Sequence, residues 1–315
     1  MKTSPLALGT MNFGTRTPEA EAARIVARAL EAGVTLFDTA NLYGNGESER
    51  ICGRLLREAH ARGEVAIATK VGLLRQRGKP EGLGAERVVN ALEESLQRLG
   101  TGHVDLYYLH APDPRTPIDE TLDGLARLLE SGRIRAWGVS NFAAWQLLEL
   151  IVRADARGLP RPRVSQVLYN LLVRQLDVEY LAFARAYGLH TTVYNPLAGG
   201  LLAREAKPGE APPKGTRFDT NPLYRSRYWS EAMISGAARY RALAEEAGLS
   251  PVTLAYAWLA QRKTEGIDSV LCGPATVAHL DAAVEGMSVA LAPELVAQIE
   301  ALHRELTGTD ARYAR

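Results

Sequence analysis

Apolar positions along the chain fall into two alternating patterns. Short runs dense in β-branched and aromatic residues occur at 6–13, 34–40, 65–71, 104–110, 134–140, 164–170, 190–196 and 269–275. Several are apolar almost throughout, VAIATKV and VDLYYLH among them, as strands covered on both faces should be. Between the runs lie segments with the three-to-four spacing of amphipathic helices, at 18–32, 47–60, 85–100, 118–131, 143–153, 178–187, 236–262 and 276–285. A further helix is expected at 293–306. Local signals agree with these bounds. Thr17-Pro18-Glu19 reads as a helix start, and Gly33 and Gly100 stand where helices should stop.

Eight strand–helix units predict an α/β protein built as a single (β/α)8 barrel over 1–315. A long loop at about 202–230 follows the seventh strand, and the extra helix closes the chain. The alternative, a doubly wound sheet with a second domain, needs a linker or a composition shift that the chain does not show. Loops as long as 202–230 in a compact domain are usually functional or mobile.

Composition changes this picture little, but it removes partners. Of the 315 residues 46% are hydrophobic and 23% charged, and 37 basic groups nearly cancel 36 acidic ones. A near-neutral surface gives nucleic acid or an anionic membrane no general attraction, so neither is expected as a partner. Cys52 and Cys272 have neither a disulfide framework nor a zinc-type spacing, so no metal is expected and a reducing compartment is. With no apolar leader at the N-terminus, a cytoplasmic protein is expected. Among the basic residues only six are lysine: Lys2, Lys70, Lys79, Lys207, Lys214 and Lys263. In a chain whose default cation is arginine, a lysine at a strand end stands out.

Barrels of this kind build their sites at the C-terminal ends of the strands. Those ends carry Asp38, Lys70, His110, Ser140 with Asn141, Asn170, Tyr194 with Asn195, and Gly273. Each alone has a plain structural reading: a cap, a snorkelling lysine, a satisfied core histidine. Together with Tyr43, however, Asp38, Lys70 and His110 describe a proton donor for a carbonyl. A lysine cation held by Asp38 would stabilise the Tyr43 phenolate, and His110 would orient the oxygen. A Schiff-base lyase or aldolase using Lys70 is the competing chemistry.

The ordered motifs GTMNFGTR, FDTANLYGNGESE, ATKVG, VDLYYLHAPDPRTPIDETL, WGVSNFAAWQ, SQVLYN, YNPLAGGLL and CGPATVAHL span nearly the whole chain. In that order they resemble the aldo-keto reductase superfamily. YNPLAGGLL, YRSRYW and the terminal YAR resemble its aflatoxin aldehyde reductase and succinic semialdehyde reductase branch. The resemblance implies NADPH-dependent reduction of small aldehydes or dicarbonyls, with NADH possible. It implies Asp38, Tyr43, Lys70 and His110 as the catalytic set, with Tyr43 as general acid. It also implies Ser140, Asn141 and Gln166 on the cofactor carboxamide and Tyr194 stacked on the nicotinamide.

Asn195, Leu197 and Gly199 would offer backbone to the pyrophosphate, and Arg204, Gly273 and Thr276 would face the adenine end. An extended cofactor explains why no GxGxxG opens a helix. The branch pattern GMSSxxQLxxN is broken here by Ala275, His279 and Ala283. Phe13, Tyr228 and Trp229 are expected as apolar walls, and Arg225, Arg227 and Arg315 as partners of a substrate carboxylate. The family resemblance leaves room for a monomer or homodimer, and for a cofactor-binding regulatory subunit.

Overall fold

The computed structural model describes residues 3–76 and 78–308. Eight parallel strands close into a barrel: β1 Leu6–Gly9, β2 Leu36–Asp38, β3 Ala66–Val71, β4 Val104–Leu109, β5 Ile134–Ser140, β6 Val164–Leu168, β7 His190–Tyr194 and β8 Ser269–Cys272. They pair in chain order, and β8 returns to β1 with Leu6 opposite Val270. The helices are α1 Glu19–Glu31, α2 Glu47–Ala61, α3 Ala85–Leu99, α4 Ile118–Glu130, α5 Ala144–Ala156, α6 Tyr180–Ala186, α7 Arg217–Thr220, α8 Pro222–Tyr228, α9 Glu231–Glu246, α10 Pro251–Gln261, α11 Val277–Ser288 and α12 Pro293–Thr307.

Two layers of core follow from this closure. Ala7, Leu36, Ala66, Ala68, Leu106, Tyr108 and Val164 fill the barrel interior. A larger shell, with Ile25, Leu56, Leu92, Leu125, Leu147 and Leu254 fully buried or nearly so, lies between strands and helices. Each such side chain contributes roughly 1.5–3 kcal/mol by leaving water, which is why the helical periodicity was visible in the sequence. Gly138 shows how tight the inner layer is. A Cβ there would stand 2.5 Å from the Val164 carbonyl and 3.1 Å from the Tyr108 ring, so only glycine lets the tyrosine fill the barrel.

Most expected elements are found within a few residues, and the strands end earlier than their apolar runs. Three points differ. The segment 236–262 is two helices, not one: Gly248 turns the chain with φ +69° and Ser250 caps α10, whose first residue is Pro251. The loop 202–230 is not wholly irregular, since α7 and α8 form within it, the latter capped by the Asn221 side chain. A two-stranded hairpin at 75–80 follows β3, where no strand was expected. Among the described residues no single helix is long and apolar enough to cross a membrane.

Candidate active site

Strand register places the polar strand ends at one mouth. Asp38 ends β2 opposite Ala68 of β3, and Lys70 follows two residues on, opposite Tyr108 of β4. Both are fully buried. The Lys70 ammonium is ion-paired with Asp38 Oδ1 and donates to the Thr39 carbonyl at 2.9 Å. It stands 5.1 Å from the Tyr43 ring centroid and 5.6 Å from that of Tyr108. Burial lowers the pKa of Lys70, and the charges of Asp38 and Glu49 pull against that shift. Glu49 is itself buried, accepting from Thr69 Oγ1 at 2.5 Å and Arg98 Nε at 2.5 Å.

Tyr43 heads the single turn before α2 and sets its ring edge-on to His110, centroids 6.0 Å apart. Its phenol is pushed well above the usual 10, by burial first and then by the Asp38 charge, while Arg217 pulls it down. The expected lowering by Lys70 is therefore not the governing influence: the ammonium is committed to Asp38, and desolvation of the phenolate dominates. His110 lies far below the usual histidine range because it is buried and because Lys70 is near. It is a neutral imidazole at neutral pH, and its buried Nδ1 has no hydrogen-bond partner. This mouth thus combines a protonated phenol, a fixed cation and a neutral imidazole with a nitrogen to spare.

Next to it runs a chain of amides and hydroxyls. Asn141, held at φ +64°, donates to the His110 carbonyl at 2.9 Å and to Ser140 Oγ at 3.1 Å, and accepts from the Tyr194 hydroxyl at 2.6 Å. Gln166 donates from Nε2 to Asp38 Oδ2 at 2.9 Å, which ties it to the ion pair. Asn195, with φ +60°, accepts from Tyr224 Oη at 3.1 Å. Left-handed asparagines directly after β5 and β7 are costly enough that a functional reason is worth seeking. At Gly199, φ is +71° and a Cβ would meet Tyr224 at 2.8 Å and Phe218 at 3.2 Å, so α8 can close over the 195–200 loop. Leu197 is partly buried against the core.

At the outer end of the mouth three arginines gather. Burial lowers the pKa of Arg16, and the positive charges of Arg217 and Arg204 lower it further. Arg217 donates to Asn12 Oδ1 and Tyr224 Oη, each at 3.3 Å, Arg204 to the Gly200 carbonyl at 3.2 Å, and Arg16 to the Gly215 carbonyl at 3.1 Å. All these acceptors are neutral, so the cluster suits an anion. Arg217 also lies 3.5 Å from the Cβ position of Gly273. Sequence reasoning missed Arg16 and Arg217; for Arg217 the basic excess of 204–229 was the available signal, but it could not say which guanidinium reaches Asn12, and no signal pointed to the exposed Arg16. Thr276 caps α11, accepting from His279 N at 3.3 Å, and remains exposed.

The expected substrate residues divide. Arg227 lies beside the Tyr194 phenol, whose pKa burial raises and Arg227 draws down. Arg225 instead spans from α8 to the Phe218 carbonyl at 3.0 Å and the Asp219 carbonyl at 2.8 Å, so its guanidinium is taken up in bracing α7. Phe13 is fully buried in the shell between strands and helices, so it is a core residue and not a pocket wall. Tyr228 is likewise buried, its hydroxyl accepting from Asn170 at 3.3 Å and Asn195 at 3.4 Å, whereas Trp229 is half-buried against Phe218. Arg315 lies outside the described residues.

A closed parallel barrel whose polar side chains converge at the C-terminal strand ends defines an α/β-barrel enzyme. Residues 5–304 match the aldo/keto reductase family. The chain belongs to that family and is an NAD(P)H-dependent oxidoreductase. It is 34% identical over 308 residues to an uncharacterized oxidoreductase, YrpG, of Bacillus subtilis, covering 94% of this chain and 91% of that protein. It is 38% identical to human aflatoxin B1 aldehyde reductase member 4, over 73% of this chain and 70% of that one. A probable voltage-gated potassium channel subunit beta of Oryza sativa subsp. japonica is 31% identical over 96% of this chain and 93% of its own length.

Proposed function

We propose that the protein reduces small aldehydes or dicarbonyls with NADPH, and that Tyr43 gives the proton. The observation that carries this reading is the grouping of Tyr43, the Lys70–Asp38 pair and a neutral His110 whose Nδ1 has no partner, within one mouth. A bound nicotinamide would supply hydride. The side chains do the rest. Burial keeps the Tyr43 phenol protonated until a carbonyl oxygen accepts its proton, and the phenolate then formed faces the Lys70 ammonium. Asp38 holds that ammonium in place. The neutral imidazole of His110 has one N–H to offer the carbonyl oxygen before transfer.

Ser140, Asn141 and Gln166 would meet the carboxamide, and Tyr194 would stack on the ring. Asn195, Leu197 and Gly199 line the path of the pyrophosphate, and Gly273 and Thr276 that of the adenosine. The Arg16, Arg204 and Arg217 cluster supports a phosphorylated dinucleotide, and Arg227 is the partner for a substrate carboxylate. Aldehydes are further supported by the human relative named for aflatoxin B1 aldehyde. The lyase reading needs a free Lys70 amine, whereas this one is fully buried and ion-paired.

Tyr43→Phe should lower turnover of an aldehyde panel roughly 100- to 10,000-fold, the usual worth of a positioned acid. NADPH should still quench protein fluorescence with near wild-type affinity. Retained turnover refutes Tyr43 as the acid, and tight NADPH binding by a wild type without NADPH consumption turns the assignment to a regulatory subunit. Equal affinity for NADPH and NADH refutes the role of the arginine cluster in cofactor choice.

A further inference from the structure

At the opposite end of the barrel, three potential ligands converge where the chain has no assigned role. His60 lies in the last turn of α2, His103 just before β4, and Asp105 is the second residue of that strand. One ligand atom from each lies within 4.8 Å of the others. His60 Nε2 is 2.9 Å from Asp105 Oδ2, and the two imidazoles lie with centroids 4.9 Å apart. His103 Nε2 is buried without a hydrogen-bond partner. Beside the cluster opens a cavity of about 480 Å³, lined by His60, His103, Thr101 and Arg135 among others.

We propose that His60, His103 and Asp105 bind a divalent transition-metal ion of the zinc class at the N-terminal end of the barrel. Two imidazoles and a carboxylate are the donor set that borderline ions prefer over calcium or magnesium. The reach is suitable. Bonds of about 2.0–2.1 Å at a tetrahedral angle require donors about 3.3 Å apart, so the His60–Asp105 gap of 2.9 Å must widen by a few tenths of an ångström and the pairs with His103, within 4.8 Å, must close by about 1.5 Å at most. The ion relieves the orphaned His103 nitrogen, and the cavity leaves the fourth position to water. The carboxylate is already oriented: Ile67 N donates to Oδ2 at 2.9 Å and Arg135 to Oδ1 at 2.9 Å, as outer partners of a metal-bound carboxylate do. Arg57 and Arg62 also line the cavity, and Arg62 is occupied by Glu58 and Glu64.

The test uses tag-free, chelator-stripped full-length protein titrated calorimetrically with zinc, and with cobalt as a spectroscopic probe. Wild type should bind one equivalent, give the visible bands of a tetrahedral cobalt ion, and melt higher with zinc. His103→Ala, at the least buried of the three, should bind at least about tenfold more weakly, the loss typical even of an outer partner, and its melting should not respond to zinc. Should that variant fail to fold, His103→Gln and the zinc response of wild-type melting give the same reading. His110→Gln should bind zinc as wild type does. No saturable equivalent in wild type, or undiminished affinity in a folded His103 variant, overturns the site. Because the readout is binding at the far end of the barrel from Tyr43, its failure leaves the reductase reading standing.

Discussion

The two ends of the barrel use the same residue types for different ends. At the C-terminal mouth a buried aspartate holds a lysine, and a neighbouring histidine is kept neutral with a nitrogen unused. At the N-terminal end a buried aspartate holds a histidine and an arginine, and again a histidine nitrogen is orphaned. The difference lies in what surrounds them. The mouth is framed by left-handed asparagines, an arginine cluster and the helices α7 and α8; the lower end is framed by helix C-termini and short turns. A charged pair at the loop-bearing mouth of a barrel suits chemistry on a ligand, whereas one at the strand starts suits holding an ion or the fold itself.

Breaking one member of each pair exposes this contrast. Lys70→Met strands Asp38 as an uncompensated buried charge and should cost about 3–5 kcal/mol in urea unfolding. Adding Asp38→Asn should recover much of that stability while leaving turnover lost; a double variant no more stable than the single one would show that packing, not charge, governs the mouth. At the lower end Asp105→Asn should cost about 1–3 kcal/mol at neutral pH in chelator, as hydrogen bonds to a charged acceptor weaken.

That lower-end loss has a pH signature. Burial alone would raise Asp105, but its bonds to His60 and Ile67 N and the charge of Arg135 outweigh it and lower its pKa below 3.8. Its stabilisation is therefore complete above 3.8 and fades as pH falls through the lower folded value. The gap between wild type and Asp105→Asn should narrow in unfolding curves at pH 3 compared with pH 7; a gap independent of pH refutes the charged hydrogen bonds as its source. Gly199→Ala, which places a methyl 2.8 Å from Tyr224 at φ +71°, should cost about 1 kcal/mol and weaken NADPH binding more than it slows bound turnover. Unchanged NADPH affinity would remove the 195–200 loop from the cofactor path.

Periodicity, with no linker or composition shift, was enough for the barrel and the strand-end positions of Asp38, Lys70, His110 and Tyr194, because hydrophobic pattern is set by which face leaves water. Where two readings shared one pattern it failed. The apolar positions of 236–262 continue across Gly248, and only the turn there separates α9 from α10. Phe13, apolar beside a conspicuous motif, fits a pocket wall as well as a core, and tertiary packing chose the core. Arg217, Arg225 and Arg227 are indistinguishable as residues in a basic loop. The folding of α7 and α8 turns Arg217 toward Asn12, leaves Arg225 on backbone carbonyls and sets Arg227 by Tyr194.

The sequence by itself determined the architecture and the residue types available at each strand end, since these depend on local spacing and burial. Only the tertiary structure decided which charges meet. His60 and Asp105 are 45 residues apart in the chain and show no ligand spacing; the pairing of β3 with β4 and the packing of α2 over β3 make them neighbours. The Tyr43 proton was decided in the same way, because its hold depends on desolvation and on the distance to Asp38, neither of which is written in any one segment.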